Sequence, residues 1–249
     1  VRFYAFGRTL WGEAQEDGIG VLKGNPYDGT LEPEGKSISW EVAHLLPPAT
    51  PTKIVCIGSN YRKHCEEMGR AVPSVPTLFL KPPSALIGHE DAIELPANVG
   101  RVDFEGELAV VIGKTARRVS PEDARDYLLG TTILNDVTAR EIQRADVQFT
   151  RGKGFDTFCP VGPVLDTEVD PTDLAISTRV NGELKQDSRT SDMIFDVPTL
   201  VSFISHVMTL CPGDIITTGT PSGVGPLAAG DTVEITLEGV GTLINEVRG

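Results

Sequence analysis

Short apolar runs closed by glycine, proline or a charged residue recur along this chain, and helical periodicity is confined to a few segments. Lys53-Ile54-Val55-Cys56-Ile57-Gly58, Thr77-Leu78-Phe79-Leu80-Lys81 and Leu108-Ala109-Val110-Val111-Ile112-Gly113 each read as buried strands. The Asn181-Gly182 turn predicts a hairpin joining Ala175–Val180 to Glu183–Gln186. Three segments read as helices. Ser59–Gly69 is short and glycine-flanked, so it is free to act as a lid. Pro121–Leu129 opens on Ser120-Pro121-Glu122-Asp123, and Pro198–Leu210 offers Leu200, Val201, Ile204 and Val207 for burial. The expectation is a mainly β protein with short helices.

Residues 1–50 form a separate small β unit in this reading, with strands around Val1–Phe6 and Gly18–Leu22 and a turn at Asn25–Gly29. The run Leu46-Pro47-Pro48-Ala49-Thr50-Pro51 breaks regular structure and separates it from a larger unit, residues 51–249.

The most distinctive polar feature is Asp103-Phe104-Glu105-Gly106-Glu107, which runs straight into the apolar strand after it. At a two-residue period its three carboxylates share one face, where they repel one another and lose hydration unless a cation joins them. Asp136 ends another strand-like run, Thr131–Asn135. Neighbouring strands would therefore gather Glu105, Glu107 and Asp136 into a three-carboxylate face for a hard divalent ion. Magnesium suits it best, manganese or calcium also fit, and half of the coordination sphere stays open. The alternative is an acidic edge strand facing solvent.

Composition narrows the partners. The chain has 249 residues, 40% of them hydrophobic, enough for a substantial core. A formal charge of -13, spread along the chain, argues against nucleic acid and anionic membranes as partners. The four cysteines form no CxxC pair, no apolar run is long enough to span a bilayer and no leader is evident, so a reducing, cytoplasmic setting is expected.

An anionic substrate would need local positive charge. Lys153, in Arg151-Gly152-Lys153-Gly154, is the better candidate to stabilise an oxyanion. Lys81 is a second candidate, with an ordinary surface lysine as the alternative. The glycines around Lys153 lack the spacing of a phosphate-binding loop. His64 and Glu67 are three apart and would share a helix face, the carboxylate orienting the imidazole as a general base. Surface pairs at this spacing are also common. Arg140 and Gln143 would cross the rim of the site. Thr220, in Gly219-Thr220-Pro221, offers a hydroxyl to a carboxylate, or is simply part of a turn.

Taken in order, Asn60–His64, Asp103–Gly113, Asn135–Arg140, Lys153–Asp156 and Gly219–Gly225 resemble the fumarylacetoacetate hydrolase family over essentially all of residues 51–249. The nearest resemblance is to its small bacterial 2-hydroxyhepta-2,4-diene-1,7-dioate isomerase branch. The resemblance implies a mixed β-sandwich roll, a homodimer, and Glu105, Glu107 and Asp136 as ligands of one divalent metal. It also implies a His64–Glu67 dyad over the substrate, Lys153 beside the substrate oxygens and Thr220 on its carboxylate, with Arg140 and Gln143 in support.

The substrate would be a small anionic 2-oxo or 2-hydroxy-enol carboxylate, as in aromatic-compound catabolism. Isomerisation of a 2-hydroxy-dienoate dioate is the expected reaction. The alternatives are hydrolysis of an acylpyruvate, decarboxylation of an oxaloacetate-type acid, or a binding module built on a structural ion.

Overall fold

The computed structural model describes residues 1–249. The chain starts with β1 (Arg2–Ala5), β2 (Arg8–Gln15), β3 (Gly18–Lys23), β4 (Glu32–Ile38) and β5 (His44–Leu46). Next come β6 (Ile54–Gly58), helix α1 (Arg62–Glu67), β7 (Thr77–Lys81), β8 (Leu86–Ile87), β9 (Ile93–Glu94), β10 (Val102–Phe104) and β11 (Gly106–Ile112). Strands β12 (Leu128–Asn135) and β13 (Thr138–Ala139) lead into α2 (Arg140–Ala145) and α3 (Thr150–Lys153). The rest comprises β14 (Cys159–Asp166), β15 (Ala175–Val180), β16 (Glu183–Arg189), α4 (Val197–Val207), β17 (Ile215–Thr217), β18 (Gly225–Pro226), β19 (Thr232–Leu237) and β20 (Gly241–Arg248). The fold is mostly β with few short helices, as the patterning predicts. No helix is long and apolar enough to cross a membrane.

The first five strands form a sheet of their own, ordered β4-β3-β2-β1-β5. A seven-stranded mixed sheet, β7-β6-β17-β11-β12-β14-β8, is the centre of the molecule. Against one face lies a second five-stranded sheet, β16-β15-β19-β20-β9.

Strand β11 is buried along its whole length because both faces of the central sheet are covered. Leu108, Val110 and Ile112 pack with Ile176, Val233 and Ile235 of the second sheet and with Leu200 and Ile204 of α4. The intervening Ala109 and Val111 pack on the opposite side with Ile54, Leu134 and Ile215. A two-sided core explains the unbroken apolar run, and each fully buried aliphatic side chain contributes about 1.5–3 kcal/mol.

Two expectations need correction. The helix predicted over Pro121–Leu129 is a single 3₁₀ turn, Ala124–Tyr127. Leu128 onward is taken into β12, where Leu128 pairs with Ile112 and Gly106 with Asn135. Nor does the acidic run form one continuous strand. It breaks at Glu105, whose backbone N–H bonds the Asn135 side chain at 3.0 Å, while Gly106 N–H bonds Gln186 Oε1 at 3.0 Å. Asp103 therefore belongs to a small separate sheet, β13-β10-β18, and not to the central one. The Asn181-Gly182 hairpin is present, with both turn residues at positive φ (52° and 78°).

Candidate metal centre and active site

The antiparallel register of β11 and β12 sets Asp136 beside Glu105, and Asp136 N–H donates to Glu105 C=O at 2.9 Å. Glu105, Glu107 and Asp136 each offer an oxygen, and these oxygens lie within 4.8 Å of one another. All three side chains are buried, which excludes the solvent-facing edge-strand alternative.

Gly106, between the two glutamates, is required by close packing. A Cβ there would meet Thr178 Oγ1 at 2.3 Å and Gln186 Oε1 at 3.1 Å. Gln186 is fully engaged. Its Oε1 accepts from Gly106 N–H and the Thr178 hydroxyl, while its Nε2 donates to Thr220 Oγ1 and Pro221 C=O.

Cations surround the carboxylates. Lys153 Nζ donates to Glu105 Oε2 at 2.7 Å and Asp136 Oδ2 at 2.5 Å, and lies 4.8 Å from the Phe79 ring centre. Arg140 donates to Asp103 Oδ2 at 2.7 Å and Gln143 Oε1 at 3.1 Å. Its Nη2 is 2.6 Å from Glu105 Oε1, close enough to pair but off the line of a directed hydrogen bond. Asp103 is held by Arg140 and Arg101 and stays out of the triad.

The expectation that Lys81 faces substrate is not what the fold provides. Lys81 is fully buried behind the site, donating to Asp136 Oδ1 at 2.6 Å and Val137 C=O at 3.1 Å. It backs the carboxylate and does not line the cavity.

The carboxylates are not equivalent. Burial opposes ionisation of Glu105, but the charges of Lys153 and Arg140 outweigh it and hold this carboxyl far below its ordinary range. Glu107 is pushed well up by burial and by the charges of Asp136 and Glu105. It accepts from Gly219 N–H at 2.8 Å and from the Thr217 hydroxyl, and no side-chain cation pairs with it. Three buried hard oxygen donors with one carboxylate left short of positive charge fit a magnesium- or manganese-type ion.

Helix α1 covers the triad. Asn60 fixes its start: the side-chain amide donates to Phe195 C=O at 2.9 Å and Thr218 C=O at 2.7 Å and accepts from Phe195 N–H. His64 is 5% exposed and its Nδ1 is 3.0 Å from Glu67 Oε2. Glu67 Oε1 in turn accepts from Gly223 N–H at 2.9 Å, docking the helix on the loop after β17.

His64, Glu105, Glu107, Arg140, Gln143, Lys153 and Thr220 line one small cavity of about 20 Å³. The Thr220 hydroxyl donates to Gly106 C=O at 2.9 Å, so in this arrangement its proton serves the strand. The largest cavity, about 510 Å³, lies instead between the N-terminal sheet and Leu129, Val164 and Leu165. No lysine, arginine or histidine lines it, so it is poorly suited to an anion.

Residues 53–248 match the family described as fumarylacetoacetate (FAA) hydrolase C-terminal. The chain belongs to the fumarylacetoacetate hydrolase family. Among proteins of this family, 2-hydroxyhepta-2,4-diene-1,7-dioate isomerase from Mycobacterium marinum superposes with a TM-score of 0.91 at 46% identity, covering 99% of this chain and 96% of that one. Oxaloacetate tautomerase YisK of Bacillus subtilis is 46% identical over 224 residues, 85% of this chain and 74% of the relative. Maleylpyruvate hydrolase from Sphingobium sp. SYK-6, solved with manganese(II) and pyruvate, superposes with a TM-score of 0.83 at 33% identity, covering 100% and 99%.

Within this fumarylacetoacetate hydrolase fold, Asn135, Gln186, Thr217 and Gly219 hold the site together without a role assigned to them from sequence, and Asp103, expected on the cation-binding face, instead anchors Arg140 and Arg101. Asn135 directly precedes Asp136, which was a usable signal. Gln186 is distant in sequence from every motif and had none.

Proposed function

We propose that this protein is a divalent-metal-dependent isomerase that moves a proton between the enol and 2-oxo forms of a small 2-oxo dicarboxylate. Oxaloacetate and 2-hydroxyhepta-2,4-diene-1,7-dioate are the substrates to test first. The observation that carries the reading is that buried His64, paired with Glu67, lines the same cavity as Glu105 and Glu107 of the cation-ready carboxylate triad.

Glu105, Glu107 and Asp136 would hold the ion, which when bound supplies a chelating site for a C1 carboxylate and C2 oxygen and lowers the energy of negative charge on that oxygen. With Nδ1–H donating to Glu67 Oε2, Nε2 would be left to accept a proton from the carbon next to the carbonyl and return it. Lys153 and Arg140 supply fixed positive charge beside the developing oxyanion without reorganising. A cavity of about 20 Å³ holds a water or an ion, so an acid of several carbons enters only with displacement of α1.

Two of the three relatives named above support this in kind, a dioate isomerase and an oxaloacetate tautomerase, while the third, a maleylpyruvate hydrolase, favours the carbon–carbon hydrolase alternative. The test is proton NMR in D₂O on oxaloacetate, the hydroxydienoate dioate and an acylpyruvate, with manganese- or magnesium-loaded protein. Deuterium incorporation or double-bond migration without carbon–carbon cleavage, abolished in His64→Ala, is expected. Efficient cleavage of the acylpyruvate with no turnover of the other two would replace this reading with a hydrolase.

A further inference from the structure

Every cation of the inner site is matched to a protein carboxylate: Lys153 to Glu105 and Asp136, Lys81 to Asp136, and Arg140 to Asp103 and Glu105. Arg70 is the exception. It lines the same cavity and is exposed, and its guanidinium pairs with no carboxylate. Its one side-chain bond runs from Nη1 to Ser59 Oγ at 3.3 Å.

Its position is set by the backbone. Gly69, at φ 62°, stops α1. Its N–H donates to Glu66 C=O at 3.0 Å and the Arg70 N–H to Cys65 C=O at 2.8 Å, the paired bonds of a Schellman stop. Gly69, expected from sequence as a hinge glycine, here serves to end the helix and fix the residue after it. On the other flank of α1, Ser59 holds the left-handed conformation at φ 58°, one that a non-glycine residue keeps only where its surroundings impose it. Ser59 and Arg70 bracket α1, and their contact closes the base of this segment beside the cavity.

Met68, Phe79 and Phe149 line the same cavity as Arg70 and the inner carboxylates, with the two rings edge to face at 5.5 Å. The lining thus combines buried carboxylates and their paired cations with apolar side chains and one exposed, unpaired guanidinium. In a protein of net charge -13, such a guanidinium is a specific counter-charge to an incoming anion.

We propose that Arg70 is the specificity-determining residue for a second carboxylate: it binds the distal carboxylate of a 2-oxo dicarboxylate whose 2-oxo acid end lies at the triad. This rests on the metal-chelate reading of the site given above. A planar guanidinium suits a carboxylate in a two-point contact, which Ser59 Oγ leaves geometrically open. Monocarboxylic 2-oxo acids satisfy the triad and leave Arg70 unused.

The test is calorimetric titration of manganese-loaded wild type, Arg70→Gln and Arg70→Lys with pyruvate, oxaloacetate and 2-oxoadipate. Circular dichroism would confirm that folding is unaffected at this exposed position. Wild type should bind at least one dicarboxylate more tightly than pyruvate. Arg70→Gln should weaken that dicarboxylate by about 10–100-fold and pyruvate by no more than about twofold, with Arg70→Lys in between. Equal losses for both ligand types, or no loss for either, would overturn the assignment. So would wild type that binds pyruvate as tightly as both dicarboxylates, with the chelate reading left standing. Wild type that binds none of the three would overturn the chelate reading and, with it, the role of Arg70.

Discussion

Lys153 shows how strongly the buried charges depend on one another. Burial disfavours its ammonium, yet Asp136 and Glu105 raise its pKa above the ordinary value. Lys153→Gln removes one of the two cations beside each of Glu105 and Asp136, which keep Arg140 and Lys81, so the metal-free protein should lose at most about 3 kcal/mol. Urea denaturation with and without magnesium checks this, since the ion should restore part of the loss by neutralising the same oxygens.

Asp214 carries the clearest pH dependence away from the triad. Burial opposes its ionisation, but the Lys53 ammonium, the Cys211 N–H and Thr52 overcome this and lower its pKa. A lowered folded-state pKa means that its stabilisation is full above the unfolded value of about 4 and fades as pH falls through the folded value. Asp214→Asn should cost about 1–3 kcal/mol at neutral pH. In a denaturation series the gap to wild type should shrink below about pH 4, and a gap that widens there would contradict the linkage.

At this scale the sequence was readable where chemistry is local. Glu105, Glu107 and Asp136 declared themselves by strand ends and charge crowding, and His64 and Glu67 by helical spacing. Lys81 misled because a lysine at a strand end looks the same whether it points to solvent or, as here, into a buried carboxylate. Gln186 joins four groups from three distant segments, and no local pattern announces such a role.

Among the elements, the strands were legible because an apolar run with glycine or proline at its ends has few other uses. Helix α4 was legible from the apolar positions it offers for burial, among them Leu200, Val201 and Ile204; in the structure Asp196 caps it, accepting from Thr199 N–H at 2.9 Å, and Pro198 sits in its first turn. Asp196→Ala should cost about 1 kcal/mol, readable as a shift in the urea midpoint. The segment after Ser120 carries an equally good start signal, and Asp123 N–H does reach Ser120 Oγ at 3.3 Å. The helix does not extend because Leu128 and its successors are taken into the ladder against β11. The same crowding explains Gly106. Gly106→Ala would drive a methyl into Thr178 and Gln186, so β11 must shift and move both glutamates. We expect divalent-ion affinity to fall together with thermal stability, and calorimetric titration beside a melting curve would show whether the two losses coincide.

The molecule as a whole is a stack of sheets in which the deeply paired strands β11 and β12 set the carboxylates on and beside their adjoining ends, while the covering helix is short and held by a few polar contacts. Rigid floor and lightly tethered cover suit an enzyme that must position an ion and still admit a substrate. The sequence conveyed the two-part patterning and the acidic balance, but not how the sheets stack, because that depends on which apolar faces meet. We propose that two copies assemble as a closed pair. Tyr4 and Phe6 of the N-terminal sheet and its following turn are exposed, and a closed twofold pair would be read by light scattering as twice the chain mass.

Three carboxylates holding one divalent ion are central to the proposed site, and calorimetric titration of metal-stripped wild type and Glu107→Gln with manganese(II) tests this most directly. Wild type should bind one ion per chain, and the variant, still folded by circular dichroism, should bind at least about 100-fold more weakly. Unchanged stoichiometry and affinity in Glu107→Gln would contradict the metal centre described above.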